Sequence, residues 1–123
     1  MTVETGSRRL RYAAVVPGLA LGLACAQAAE ADRARGQRLA HDVYKGNCLA
    51  CHQIPGDPSA VSRSDIGPPL LHMRERFPDR AALRSQLSDP MARNPQTVMP
   101  PFGKHTVLTE EEIDLIIDYI YQY

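Results

Sequence analysis

The chain has 123 residues, enough for one domain, with 14 basic and 14 acidic side chains and a formal net charge of zero. That balance excludes the electrostatic bias shown by nucleic-acid-binding and membrane-surface proteins. The charges are nevertheless unevenly spread: residues 106–123 hold Glu110, Glu111, Glu112, Asp114 and Asp118 and no Lys or Arg. Such a run predicts a solvated acidic helix face or, less commonly, a surface that orients a docking partner.

Residues 1–28 read as an export signal. Arg8, Arg9 and Arg11 form a positive head. Ala13 to Ala24 follow as an apolar stretch of about twelve residues, short of the roughly 20 needed to span a bilayer. Small residues then offer two cleavage sites, Ala24-Cys25-Ala26 and Ala26-Gln27-Ala28. The second is preferred and leaves residues 29–123 as a single domain in the periplasm, with no stable membrane insertion and no nucleic-acid partner. An uncleaved anchor is the alternative. Lipidation at Cys25 is disfavoured, because Gly22 stands where an aliphatic residue is usually wanted. Loss of the signal removes Cys25, so Cys48 and Cys51 are the two cysteines that remain.

Next in order, Asp32 to Asn47 carries Gly36, Leu39, Ala40 and Val43 at helical spacing, with Gly46 as terminator. Residues 53–69 are punctuated by Pro55, Gly56, Pro58, Gly67, Pro68 and Pro69 and form a loop. Asp79 to Ser88 predicts a short helix, capped by Asp79, with Leu83 and Leu87 on one face and Asp89-Pro90 ending it. Residues 90–105 return to loop. In the last helix, Thr109 and Glu112 have capping-box spacing, and Leu108 and Ile113 that of a hydrophobic staple. Ile113, Ile116, Ile117 and Ile120 then make one apolar face. Tyr44 and Tyr119 are expected to pack where the terminal helices cross. The fold class is all-α. Three helices, two Phe and no Trp make a thin core, which a large apolar cofactor would complete.

Cys48-Leu49-Ala50-Cys51-His52 supplies that cofactor. C-x-x-C-H is the attachment motif of haem c. Thiols three positions apart reach the two vinyl groups of one porphyrin, and the adjacent His52 swings beneath the iron as proximal ligand. Two other readings use the same residues. A thioredoxin-type disulfide expects a βαβ context, and a zinc site would need His52 with His72 or His105 to complete four ligands.

The distal ligand must come from Met73, Met91, Met99, His41, His72 or His105. Met99 is best placed, within Thr97-Val98-Met99-Pro100-Pro101-Phe102-Gly103, where paired prolines stiffen the loop. Met91 is read as core packing, His72 and His105 as surface residues. Gly67-Pro68-Pro69-Leu70 offers a carbonyl, from Pro68 or Pro69, that can take the second ring N–H of His52; a simple turn is the alternative.

The order of these parts resembles a class I cytochrome c, with N- and C-terminal helices crossing beside the haem and Pro/Gly-rich loops between. Longer strings narrow the likeness: Gly46 to Pro58, Ile66 to Leu70, Arg76 to Leu83 and Asn94 to Gly103 resemble the sulfur-oxidation cytochrome family SoxX, over roughly residues 38–121. The resemblance implies the electron-transfer subunit of a thiosulfate-oxidising L-cysteine S-thiosulfotransferase complex. It implies a heterodimer with a SoxA-type cytochrome that carries the catalytic cysteine. A SoxYZ-type carrier protein and a c-type cytochrome acceptor complete the implied partners. No catalytic residue is then expected on this chain. It also implies Cys48 and Cys51 as attachment points and His52 and Met99 as axial ligands. One departure is Ala40, where many class I cytochromes have Gly at the helix crossing. The competing reading is a free-standing periplasmic monohaem electron carrier.

Overall fold

The computed structural model describes residues 17–123. The basic head of the predicted signal, Arg8 to Arg11, lies outside these residues, as does the start of the apolar stretch. Among the described residues four α-helices follow one another: α1 Pro17–His41, α2 Met73–Arg76, α3 Arg80–Ser88 and α4 Glu110–Ile120. Short 3-10 turns occupy Cys48–Ala50 and Pro90–Ala92. No strand occurs among the described residues, and the all-α, class I cytochrome c-like architecture is what the sequence predicts. No helix among the described residues is long and apolar enough to cross a membrane.

The main packing joins α1 to α4. Ile113, Ile116, Ile117, Tyr119 and Ile120 bury one side of α4 against Ala40 and Leu39. The closest approach is at Gly36, not Ala40: a Cβ on Gly36 would lie 1.9 Å from the Leu115 carbonyl oxygen. The crossing glycine is therefore present, one helical turn before the position where the sequence reading looked for it. Ala40 is fully buried beside it.

Helix α1 ends at His41 rather than Asn47. The Asp42 side chain accepts from Tyr44 N at 2.8 Å, and its carbonyl accepts from Lys45 N and Asn47 N, both at 3.0 Å. These local bonds compete with the helical ladder and turn the chain. Gly46 N then donates to Leu39 O at 3.0 Å, and Asn47 takes a left-handed φ of 44°, which Asn tolerates better than most residues. Val43 and Tyr44 consequently leave the helix. Tyr44 is 90% exposed and does not pack at the crossing, whereas Tyr119 is buried there.

Helices α3 and α4 begin where their caps predict. The Asp79 carboxylate accepts from Ala81 N at 2.9 Å. Thr109 Oγ1 accepts from Glu112 N at 3.1 Å, while Glu112 Oε2 accepts from Thr109 N at 2.9 Å. Leu108 and Ile113 are both buried in the same core. Met91, read as core, is instead 39% exposed, because its 3-10 turn directs Pro90 inward.

The acidic row of α4 is ion-paired, although Glu110 and Glu111 stay largely exposed. Glu110 and Asp114 pair with Arg84, and Asp114 and Asp118 with Arg80, so α3 and α4 are laced by charge. Glu111 meets Arg35 at 3.1 Å and Glu112 meets Lys45 at 2.8 Å, both cations coming from the N-terminal part of the domain. The asymmetry along the sequence is thereby cancelled within the fold.

One buried carboxylate joins loop to helices. Asp57 is 6% exposed. It accepts from Gln37 Nε2 at 2.7 Å, from Ser59 N at 2.8 Å and Oγ at 2.7 Å, and from the Tyr119 hydroxyl. That hydroxyl in turn lies 3.0 Å from His41 Nε2. Burial alone would raise the Asp57 carboxyl, but the hydrogen bonds from Tyr119, Ser59 and Gln37 outweigh it. They hold the group well below the usual carboxylate range. The depressed folded-state value means that Asp57 contributes stability above its unfolded pKa of about 4 and loses it as the pH falls below that. Asp57→Asn is expected to cost roughly 2–3 kcal/mol at pH 7 and to flatten the wild-type loss of stability between pH 4 and 2. Urea unfolding across that range measures both; an unchanged acid limb in the variant would show that Asp57 does not carry it.

Candidate functional site

The chain leaves α1 through the left-handed Asn47 directly into the 3-10 turn Cys48–Ala50. His52 N and Cys51 N both donate to the Cys48 carbonyl, at 2.8 and 3.1 Å. This tight turn brings Cys48, Cys51 and His52 to one wall of an apolar cavity of about 620 Å³. The volume falls in the roughly 300–1,000 Å³ range of cofactor sites. Apolar side chains from α2, α3, α4 and the loops between them line it, among them Leu70, Met73, Leu83, Phe102 and Ile116. Burial pushes the Cys48 thiol up to about 11, so it is uncharged at neutral pH.

His52 is held from behind. Gly67 N donates to the Cys51 carbonyl at 2.8 Å, which lays the Gly67-Pro68 segment flat on the imidazole. A Cβ at Gly67 would stand 2.3 Å from His52 Cε1, so only glycine allows the approach. His52 Nδ1 lies 2.7 Å from the Pro68 carbonyl oxygen and donates to it, which leaves Nε2 as the nitrogen free to ligate. Pro69 O is turned away and accepts instead from Arg76 Nη1 at 2.8 Å.

Of the six distal candidates, the structure brings two to the cavity, Met73 and Met99. His72 and His105 are exposed, Met91 is exposed, and His41 is committed to Tyr119. Among the described residues, no three His, Cys, Asp or Glu side chains converge as a metal ion would require, so the zinc alternative lacks donors. Met99 N donates to Thr97 Oγ1 at 3.2 Å, bracing the loop as the two prolines suggest. Two participants escaped the sequence reading: Gln86 beside Met99 and Arg76 beside Met73. Gln86 and Arg76 carry no motif by which the sequence could have marked them.

Residues 35–120 match the sequence profile of the family described as cytochrome C oxidase, cbb3-type, subunit III. The chain belongs to that family. An uncharacterized lipoprotein of Aquifex aeolicus (strain VF5) is 36% identical over 77 residues, which are 63% of this chain and 36% of the relative. The chain thus spans about a third of that relative's length.

The family match corrects the closer assignment made from sequence. The chain is a c-type cytochrome domain with room for haem, not specifically a SoxX subunit. With that assignment go the thiosulfate chemistry, the thiosulfotransferase role, and the SoxA, SoxYZ and cytochrome-acceptor partners. The physical reason is visible in the site. The strings that carried the resemblance, around Cys48 to His52, Gly67 to Leu70 and Thr97 to Gly103, are the ones that wrap the cavity. Cytochromes with different partners need the same wrapping.

Proposed function

We propose that this chain is an exported one-electron carrier holding a single haem c, of the kind that serves a cbb3-type oxidase. Cys48 and Cys51 bind the macrocycle through thioethers, and His52 Nε2 is the proximal ligand. The Pro68 carbonyl fixes the tautomer and aim of His52, Pro69 stiffens that carbonyl's backbone, and Met99 is the distal ligand. When bound, haem supplies reversible one-electron chemistry at its iron. The protein's part is to anchor, to orient and to exclude water. The observation that carries this reading is the coincidence, in one apolar cavity, of two cysteines, an oriented histidine and a braced methionine. The partners in this reading are oxidase subunits, since that is the complex the family description names.

Protein matured in a periplasm with haem-attachment machinery is expected to be heavier by one haem and to keep it in acid acetone. Cys48→Ala and Cys51→Ala should each weaken attachment, and the double change should abolish it. The same mass locates the N-terminus, expected at Ala29 or Gln27. A lipid on Cys25, which the name of the Aquifex relative brings into question, would instead make the carrier membrane-tethered. Reduced holoprotein should be reoxidised by a cbb3-type oxidase in single-electron steps. A mature chain without haem, or one inert to the oxidase, rejects the corresponding half of the proposal.

A further inference from the structure

Helix α3 reaches the cavity through Leu83, Gln86 and Leu87. Two of these are apolar, as a cofactor wall requires; Gln86 is not. A side-chain amide in an apolar wall is costly unless it has a hydrogen-bond partner. The Gln86 partner is sulfur: Nε2 lies 3.6 Å from Met99 Sδ. We propose that Gln86 is a positioning residue for Met99, its amide occupying one sulfur lone pair so that the other faces the iron. This deepens the reading above and rests on Met99 being the distal ligand.

The placement is set by backbone, not by two flexible side chains meeting by chance. Phe102 N donates to Leu87 O at 3.2 Å and Lys104 N to Ser88 O at 3.0 Å. These bonds stitch the end of α3 to the methionine loop. Gly103 sits tightly enough that a Cβ there would lie 3.0 Å from Ser88 Cα. Thr97 Oγ1 holds the Met99 amide from the other side. Gln86 and Met99 therefore belong to one frame.

Charge separates this thioether from the second one in the cavity. Met73 Sδ lies 3.6 Å from Arg76 Nη1, a guanidinium that also donates to the carbonyls of Pro69 and Leu71. A fixed cation beside a sulfur repels the positive charge of a ferric iron. The neutral amide of Gln86 makes no such objection. An N–H directed at Sδ draws density from the sulfur and makes it a weaker donor to ferric iron, which raises the potential.

The test uses holoprotein carrying Gln86→Leu, which keeps the volume and removes the donor, with Met99→Ala as reference. Gln86→Leu is expected to retain the weak red absorption of sulfur-to-iron ligation, shifted in position. It should lower the potential by up to about tenfold in the ferrous-to-ferric ratio, ~59 mV for one electron. If Gln86→Leu does not fold, Gln86→Glu, which keeps the length and offers an acceptor in place of the donor, is expected to show the same losses. Wild-type potential and band position in these variants, with the band lost in Met99→Ala, would overturn the role of Gln86 alone. A band that survives Met99→Ala would remove the ligand assignment, and the role of Gln86 with it.

Discussion

Gly36→Ala is expected to destabilise the domain by roughly 3 kcal/mol, and Gly36→Val by more. The sign is not obvious in advance, because alanine is about 1 kcal/mol better than glycine inside a helix. Contact decides it. The added carbon would fall 1.9 Å from the Leu115 carbonyl oxygen and 2.6 Å from its carbon, both backbone atoms of α4. A flexible side chain could swing aside, but a helical carbonyl cannot move without its helix. Helix α4 would have to back away from α1 and loosen the burial of Ile113, Ile116 and Tyr119. It would also draw Glu112 and Glu111 off Lys45 and Arg35. Chemical denaturation of wild type and variants in the same haem state measures the effect; an unchanged midpoint in Gly36→Val would mean that the helices do not cross at this residue.

The contrast between Gly36 and Thr109 marks what the sequence could disclose. A capping box acts over three residues, so Thr109 and Glu112 announce the start of α4 without reference to anything else. The alternation of Ile113, Ile116, Ile117 and Ile120 likewise needs no partner to be read. The crossing glycine needs one: which turn of α1 meets α4 depends on crossing geometry, and Gly36 and Ala40 differ by one turn. Asp57 was hidden for the same reason, since its partners Gln37 and Tyr119 lie 20 and 62 positions away. Tyr44 was misplaced because its N–H donates to the Asp42 side chain, a bond that ends the helix before it.

Within the proposed site, Cys48, Cys51 and His52 could be picked out because the attachment chemistry we propose demands contiguity. Pro68 was legible as one of two carbonyls, and the fold turns the other toward Arg76. Residues around a haem are constrained by the haem, whichever protein the domain serves. In the proposed reading, their likeness to another family reports a shared cofactor site and says little about the partner, which accounts for the failure of the narrower assignment. The partner-specific information must lie on the surface, where Val43, Ile66 and Val98 stand exposed at the margin of the cavity and obey no motif.

Replacing Met99 is expected to give the largest redox change of any single substitution. A thioether is a soft, weak donor that favours ferrous over ferric iron, so His/Met ligation raises the potential. Axial-ligand choice moves haem potentials over about 0.8 V, and Met99→Ala should lower this one by a sizeable part of that range. The fold should change less. Met99 is only half-buried, and its loop stays fixed to α3 through Phe102 and Lys104. In the proposed arrangement the haem should stay as well, because two thioethers and His52 would still hold it. Loss of the sulfur would open a coordination position, so cyanide and imidazole should bind Met99→Ala readily and the wild type slowly. Met73 provides the control, since it lines the same cavity but is 2% exposed, with its backbone N–H bound to the Tyr123 carbonyl at 2.9 Å. Met73→Leu should therefore keep the red band and the potential and cost only packing. If the band and the high potential survive in Met99→Ala and vanish in Met73→Leu, the iron is bound from α2 and not from the loop after α3.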